Sequence, residues 1–142
     1  MENNIQQIFV YGSLRSGFKH PAYEYMSKYF KLVGEGTVKG TLYDMGSYPA
    51  AIPTQENNFI LGELYELKSE SEFTWAMEQL DDYEGVNPND GEEPLYVRAI
   101  ASVYIKDQTI PAWIYWFNGV TEGQPIIASG DVLQFIQQKS KL

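Results

Sequence analysis

The sequence predicts a single domain of α+β class, and three observations carry that expectation. Short runs rich in β-branched and aromatic residues, bounded by glycines, recur along the chain. Two other segments carry their apolar residues at helical spacing. Residues 96–117 hold two β-rich runs around a short polar turn, the pattern of a hairpin. At 142 residues the chain fits the usual ~100–200 residues of one domain. No repeat, low-complexity tract or linker divides it, so residues 1–142 are read as one unit.

The first element is the apolar run Ile8 to Tyr11, which stops abruptly at Gly12-Ser13-Leu14-Arg15. This reads as a buried strand opening into a glycine turn. A glycine without Cβ lets a carboxylate or carbonyl approach the backbone N–H groups, and an arginine pairs well with a carboxylate. Two readings stay open here: an anion-holding turn, or an ordinary strand-to-helix loop. Gly12, Gly17 and Lys19 approach a phosphate loop, but Phe18 separates the lysine from the second glycine and His20 follows it, so that route to nucleotide binding is rejected. Pro21 suits the start of a helix, and Ala22, Met26, Tyr29 and Phe30 give it one apolar face through about Lys31.

From Val33 to Asp44, Gly34, Gly36 and Gly40 punctuate β-type residues and mark bulges or close approaches. Residues 46–51 read as a loop, Asn57-Asn58 as a turn, and Phe59 to Leu67 as a strand containing Gly62. Ser69 and Glu72 have capping-box spacing, ahead of a helix with Phe73, Ala76, Met77 and Leu80 on one face. Asp81, Asp82 and Glu84 crowd the end of that helix, before Gly85, where the helix dipole disfavours acids. Residues 87–94 form a polar, acidic loop. Strands Tyr96 to Ile105 and Pro111 to Phe117 turn around Lys106-Asp107-Gln108, and a last helix is expected from Ser129-Gly130-Asp131.

Composition narrows the chemistry. A net charge of −9 gives no basic footprint for nucleic acid or an anionic membrane. There is no cysteine, hence no thiol nucleophile, and a single histidine, His20, cannot build a metal cluster or serve Ser13 in a triad. Residues 1–4 have no signal-peptide character and no apolar stretch reaches ~18 residues, so a soluble cytoplasmic protein is expected. Asp81 to Glu84 lack the alternating spacing of a calcium loop. A carboxylate general base remains. Glu84 sits among like charges at a negative helix end, which would raise its pKa above the ~4.3 reference. The same acids could simply be a solvated helix end. Arg15 and Arg98, the only arginines, could each hold an anion or merely pair with a surface acid.

Several segments together resemble a known family. They are Tyr11 to Arg15, Val38 to Asp44 with Tyr48-Pro49, Gly62 to Tyr65, Leu80 to Gly85, Tyr96 to Arg98, and Trp113 to Tyr115. In this order, over roughly residues 8–131, they resemble the gamma-glutamylcyclotransferase-like superfamily. The resemblance implies a small mixed β-barrel flanked by helices, with one cavity at the glycine turn. It implies that Tyr11, Gly12, Ser13, Leu14 and Arg15, with Tyr48 and Tyr115, bind substrate, and that Glu84 is the catalytic acid/base. The implied reaction releases 5-oxoproline and an amine or amino acid from a γ-glutamyl compound, with no cofactor and no metal. The alternative is a non-catalytic small-molecule binding module using the same cavity. Val132 stands where the family commonly has tryptophan, a departure that concerns packing. The glutathione-specific branch differs after its glycine turn, so glutathione is disfavoured.

Overall fold

Six strands and two helices are present in the computed structural model, which describes residues 5–11, 21–46, 49–84 and 96–132, with backbone alone at 21–23, 25 and 82–84. In chain order they are β1 (Gln7–Val10), α1 (Pro21–Tyr29), β2 (Phe30–Asp44), β3 (Pro49–Pro53), β4 (Phe59–Leu67), α2 (Phe73–Glu84), β5 (Tyr96–Ile105) and β6 (Gln108–Phe117).

The long strand β2 organises the sheet. It pairs antiparallel with β4 from Phe30 to Lys39 and with β3 from Gly40 to Asp44, and Thr37 also meets Tyr104 of β5. β4 continues to β1 (antiparallel), β1 to β6 (parallel, Ile8 beside Trp113) and β6 back to β5 (antiparallel). The β2–β5 contact returns the sheet to its start. The result is a closed five-stranded mixed barrel with β3 as an extra strand on β2, as the resemblance implies. β2 bends to serve three neighbours at a register shift between Leu32 and Gly34, which leaves Val33 as the extra, exposed residue of a bulge.

Period-two alternation divides the buried residues into two cores. Phe9, Val38, Ile60, Leu64, Val103 and Ile114 come from all five barrel strands and fill the interior. Ile8, Val10, Tyr65 and Tyr115 face outward and are covered by Met26 of α1 and by Ala76, Met77 and Leu80 of α2. Two glycines are required by this packing. A Cβ at Gly62 would lie 2.4 Å from the Val10 carbonyl oxygen and 2.5 Å from Phe9 Cζ, so the Phe9 ring occupies the space of a side chain there. Gly130 has φ +70°, and its Cβ would stand 2.0 Å from the Phe59 carbonyl oxygen. Its own carbonyl accepts Leu61 N–H at 2.7 Å.

Some local expectations are corrected. Residues 49–51, expected as part of a loop, belong to β3, because Gly40 to Asp44 extend past β4 and offer a free edge. Phe30, expected on the face of α1, is the first residue of β2, buried in the same outer core. The capping box does not form. Glu70–Glu72 make a 3-10 turn, Ser69 gives no side-chain cap, and its Oγ lies 3.0 Å from Ser71 Oγ. β6 starts at Gln108 rather than Pro111, and the tight turn puts Lys106 at φ 54°. Of the expected last helix, Ser129 to Asp131 form a turn in which Ser129 Oγ accepts Asp131 N–H at 3.2 Å, and Val132, the last described residue, is buried in the barrel interior. The acidic 87–94 loop lies outside them. No helix among the described residues is long and apolar enough to cross a membrane.

Adding one methyl group at Gly62 tests the packing of β1 on β4. Gly62→Ala is expected to cost ~1–3 kcal/mol, as overpacking of a filled interior does. Urea unfolding measures it, and an unchanged midpoint would show that the two strands are not held this closely.

Candidate active site

The face of α2 that carries Ala76, Met77 and Leu80 onto the barrel continues, at helical spacing, to Asp81. The acid is therefore directed at the barrel wall, where it is only 7% exposed. Arg98 of β5 and Tyr115 of β6 meet it there, and their direct pairing across the hairpin puts both on the outer face. Asp81 Oδ1 accepts Arg98 Nε at 2.7 Å and the Tyr115 hydroxyl at 2.8 Å, and Oδ2 accepts Arg98 Nη2 at 3.0 Å. The guanidinium also lies 4.6 Å from the centroid of the Trp113 ring. Two charge-assisted bonds in a fork geometry, partly shielded from water, are among the stronger side-chain contacts in proteins.

Tyr115 also joins the helix side of the wall to its interior. Its carbonyl oxygen accepts the hydroxyl of Tyr11, the residue after the end of β1, whose ring is packed in the interior core. At the other end of β1, Trp113 Nε1 donates to the Ile5 carbonyl at 2.9 Å. The start of β3 is tied in by Tyr96, whose hydroxyl donates to the Pro49 carbonyl at 2.6 Å.

Tyr11 and Tyr115, two of the residues expected to bind substrate, are linked by the hydrogen bond from the Tyr11 hydroxyl to the Tyr115 backbone, but their rings lie on opposite faces of the wall, Tyr11 in the interior core and Tyr115 in the outer one. Glu84 is the last residue of α2, three positions beyond Asp81, and its side chain lies outside the described part of the chain. Gly12, Ser13, Leu14, Arg15, Tyr48 and His20 lie outside the described residues. Of the two readings of Arg98, pairing with an acid holds, although that acid is buried rather than on the surface.

Two buried acids do not stand out in the sequence. Asp81 reads there only as one of three acids at a helix end, although its spacing from Met77 marks it as inward. Glu63, 7% exposed on β4, accepts the Tyr65 hydroxyl at 2.8 Å and pairs in register with Val10 at the end of β1. Its signal is an acid two residues from a tyrosine, on the same face of an apolar strand. Among the described residues no group of three or more His, Cys, Asp or Glu could hold a metal ion. A half-open pocket of about 380 Å³, lined by Thr41, Asn58, Phe59, Ile126 and Ser129 among others, shares no residue with the Asp81 group.

This barrel has known relatives. A family model described as gamma-glutamyl cyclotransferase, AIG2-like, matches residues 8–134. The chain belongs to that family. No curated protein is a significant match to it. Among solved structures, an uncharacterized protein from Pyrococcus horikoshii is similar at TM-score 0.67 and 22% identity, over 95% of this chain and 96% of that one. Protein ytfP from Escherichia coli has TM-score 0.60 and 26% identity, over 92% and 98% of the two chains. An AIG2-like protein from Mus musculus has TM-score 0.61 and 21% identity, over 83% and 80%. The barrel is therefore the cyclotransferase-like fold, and the Asp81 group sits where this family member's α2 ends against the hairpin.

Removing the ion pair one side at a time tests its weight. Asp81→Ala, which leaves the Arg98 charge partly buried without its partner, is expected to cost about 2–3 kcal/mol, less than the ~3–5 of a fully buried pair. Arg98→Lys, which cannot form the fork or stack on Trp113, is expected to cost roughly 1 kcal/mol. Chemical denaturation of both variants checks the order, and equal costs near zero would show a pair with no structural weight.

Proposed function

We propose that this protein is a γ-glutamyl cyclotransferase, releasing 5-oxoproline and an amine or amino acid from a γ-glutamyl compound, with Glu84 as general acid/base. The observation that supports this most is the anchoring of the end of α2. Asp81 fixes that helix end to the hairpin one turn before Glu84, and the same hairpin holds Tyr11, the residue before Gly12 in the chain. An acid/base and a turn with free N–H groups are the two parts that the reaction needs.

The reaction is an intramolecular transfer. The α-amine of the γ-glutamyl group attacks its own γ-carbonyl carbon, forming the lactam C–N bond. The bond from that carbon to the leaving nitrogen then breaks. An ammonium cannot attack, so Glu84 accepts its proton, and the leaving nitrogen takes up the protons that the nucleophile gives up. No water is consumed. In this reading backbone N–H groups of Gly12 to Leu14 hold the α-carboxylate or the developing oxyanion, and Arg15 and Tyr48 contact the substrate, while Tyr115 acts through its hydrogen bonds to Asp81 and Tyr11. Folding the flexible glutamyl chain into its reactive rotamer is an orientation effect.

Incubation with γ-glutamyl amino acids, γ-glutamyl amines and glutathione, followed by mass spectrometry, tests the reading. The expected product is 5-oxoproline, and Glu84→Gln should lower kcat by ~10²–10⁴-fold with an unchanged melting temperature. Full activity in Glu84→Gln would remove the assigned base. Compounds that raise the melting temperature without turnover would favour a binding module instead.

A further inference from the structure

The Asp81 group connects the end of α2 to both ends of β1, and its bearing on catalysis rests on Glu84 being the acid/base. From the carboxylate one branch runs through the Tyr115 hydroxyl and carbonyl to Tyr11, just after β1. A second runs through the Arg98 fork, stacked on Trp113, and the Trp113 indole N–H to Ile5, just before β1. We propose that Asp81 is a positioning residue that sets where the end of α2 stands relative to the end of β1.

Packing alone does not account for an acid at this place. The position continues the apolar face of α2, where leucine or methionine would bury well, and the helix dipole opposes a negative charge there. Replacing ion pairs by hydrophobic residues of similar volume is often neutral or stabilising. A planar fork with a third donor on the same carboxylate supplies what apolar packing does not: it fixes the rotation and depth of the helix end. Apolar burial is non-directional, so it holds the helix end against the wall without specifying the angle at which a residue one turn further along is presented. Glu84 is that residue. Because Tyr115 is hydrogen-bonded through both its hydroxyl and its carbonyl, a shift of the helix end is passed to Tyr11, where the proposed substrate turn begins.

Asp81→Asn keeps the shape and removes the charge, and two readouts decide. With a γ-glutamyl substrate that the unmutated protein turns over, kcat is expected to fall ~10–100-fold with KM nearly constant, as misplacement of a reacting group does. Amide hydrogen exchange, read by mass spectrometry, is expected to rise several-fold both at residues 80–84 and at residues 7–11. Tyr115→Phe, which removes one hydroxyl, should move both readouts the same way by less, and it decides if Asp81→Asn does not fold. Val103→Ala, in the barrel interior, lowers the melting temperature and leaves kcat unchanged. The proposal is overturned if Asp81→Asn retains kcat, or if its loss of kcat is matched by Val103→Ala. If the unmutated protein makes no 5-oxoproline, the functional reading fails by itself. Exchange at residues 7–11 then decides the positioning role: faster exchange upholds it and unchanged exchange overturns it.

Discussion

A carboxylate buried at the C-terminal end of a helix is opposed twice, by the partial negative charge of the helix end and by the loss of water. Asp81 persists there because three donors converge on it, two from the Arg98 fork and one from Tyr115. Those donors exist only because β5 and β6 pair in a register that sets Arg98 directly against Tyr115. The placement of α2 on the barrel thus depends on a hairpin formed later in the chain, and the placement of Glu84 depends on α2. Apolar burial supplies most of the attraction between helix and wall, but it is non-directional. The fork supplies direction.

Barrel closure places a second constraint on the same region. β1 is four residues long and lies between β4 and β6, buried on both faces. That double burial explains why Ile8 to Tyr11 reads as a continuous apolar run rather than an alternating one. Tyr11 then ends the strand with its ring inside the barrel and its hydroxyl on the β6 backbone. Gly62 is the complement of this strand. Phe9 fills the volume opposite it, so β4 has no side chain at that position. The chain leaving β1 starts from a point fixed on both sides.

The departures from expectation have a common origin. β3 carries proline at both ends of three residues and shows no usable alternation; it is a strand because β2 outruns β4 and leaves an edge to be paired. The spacing of Ser69 and Glu72 satisfies a local capping rule, yet a 3-10 turn leads into α2 at Phe73 instead. Arg98 has two readings in the sequence because a lone arginine in a strand looks the same whether it faces a ligand or a buried acid. Long-range pairing decides each case. By contrast, Phe59 to Leu67, the core face of α2 and the 96–117 hairpin follow from local pattern, since periodicity and burial agree there.

By itself the sequence determined the α+β class, the family, the strand Ile8 to Val10 and a helix ending in a cluster of acids. Each of these is written in residues adjacent in the chain or in the order of short motifs. The tertiary structure alone decided that the sheet closes through β2 and β5, and that the partners of the inward-facing Asp81 are Arg98 and Tyr115. Those contacts join residues 17 and 34 positions apart, and Tyr11 to Tyr115 spans 104. A side chain's local spacing can say which face it takes. Only the register of strands brought together by the fold says what stands opposite it.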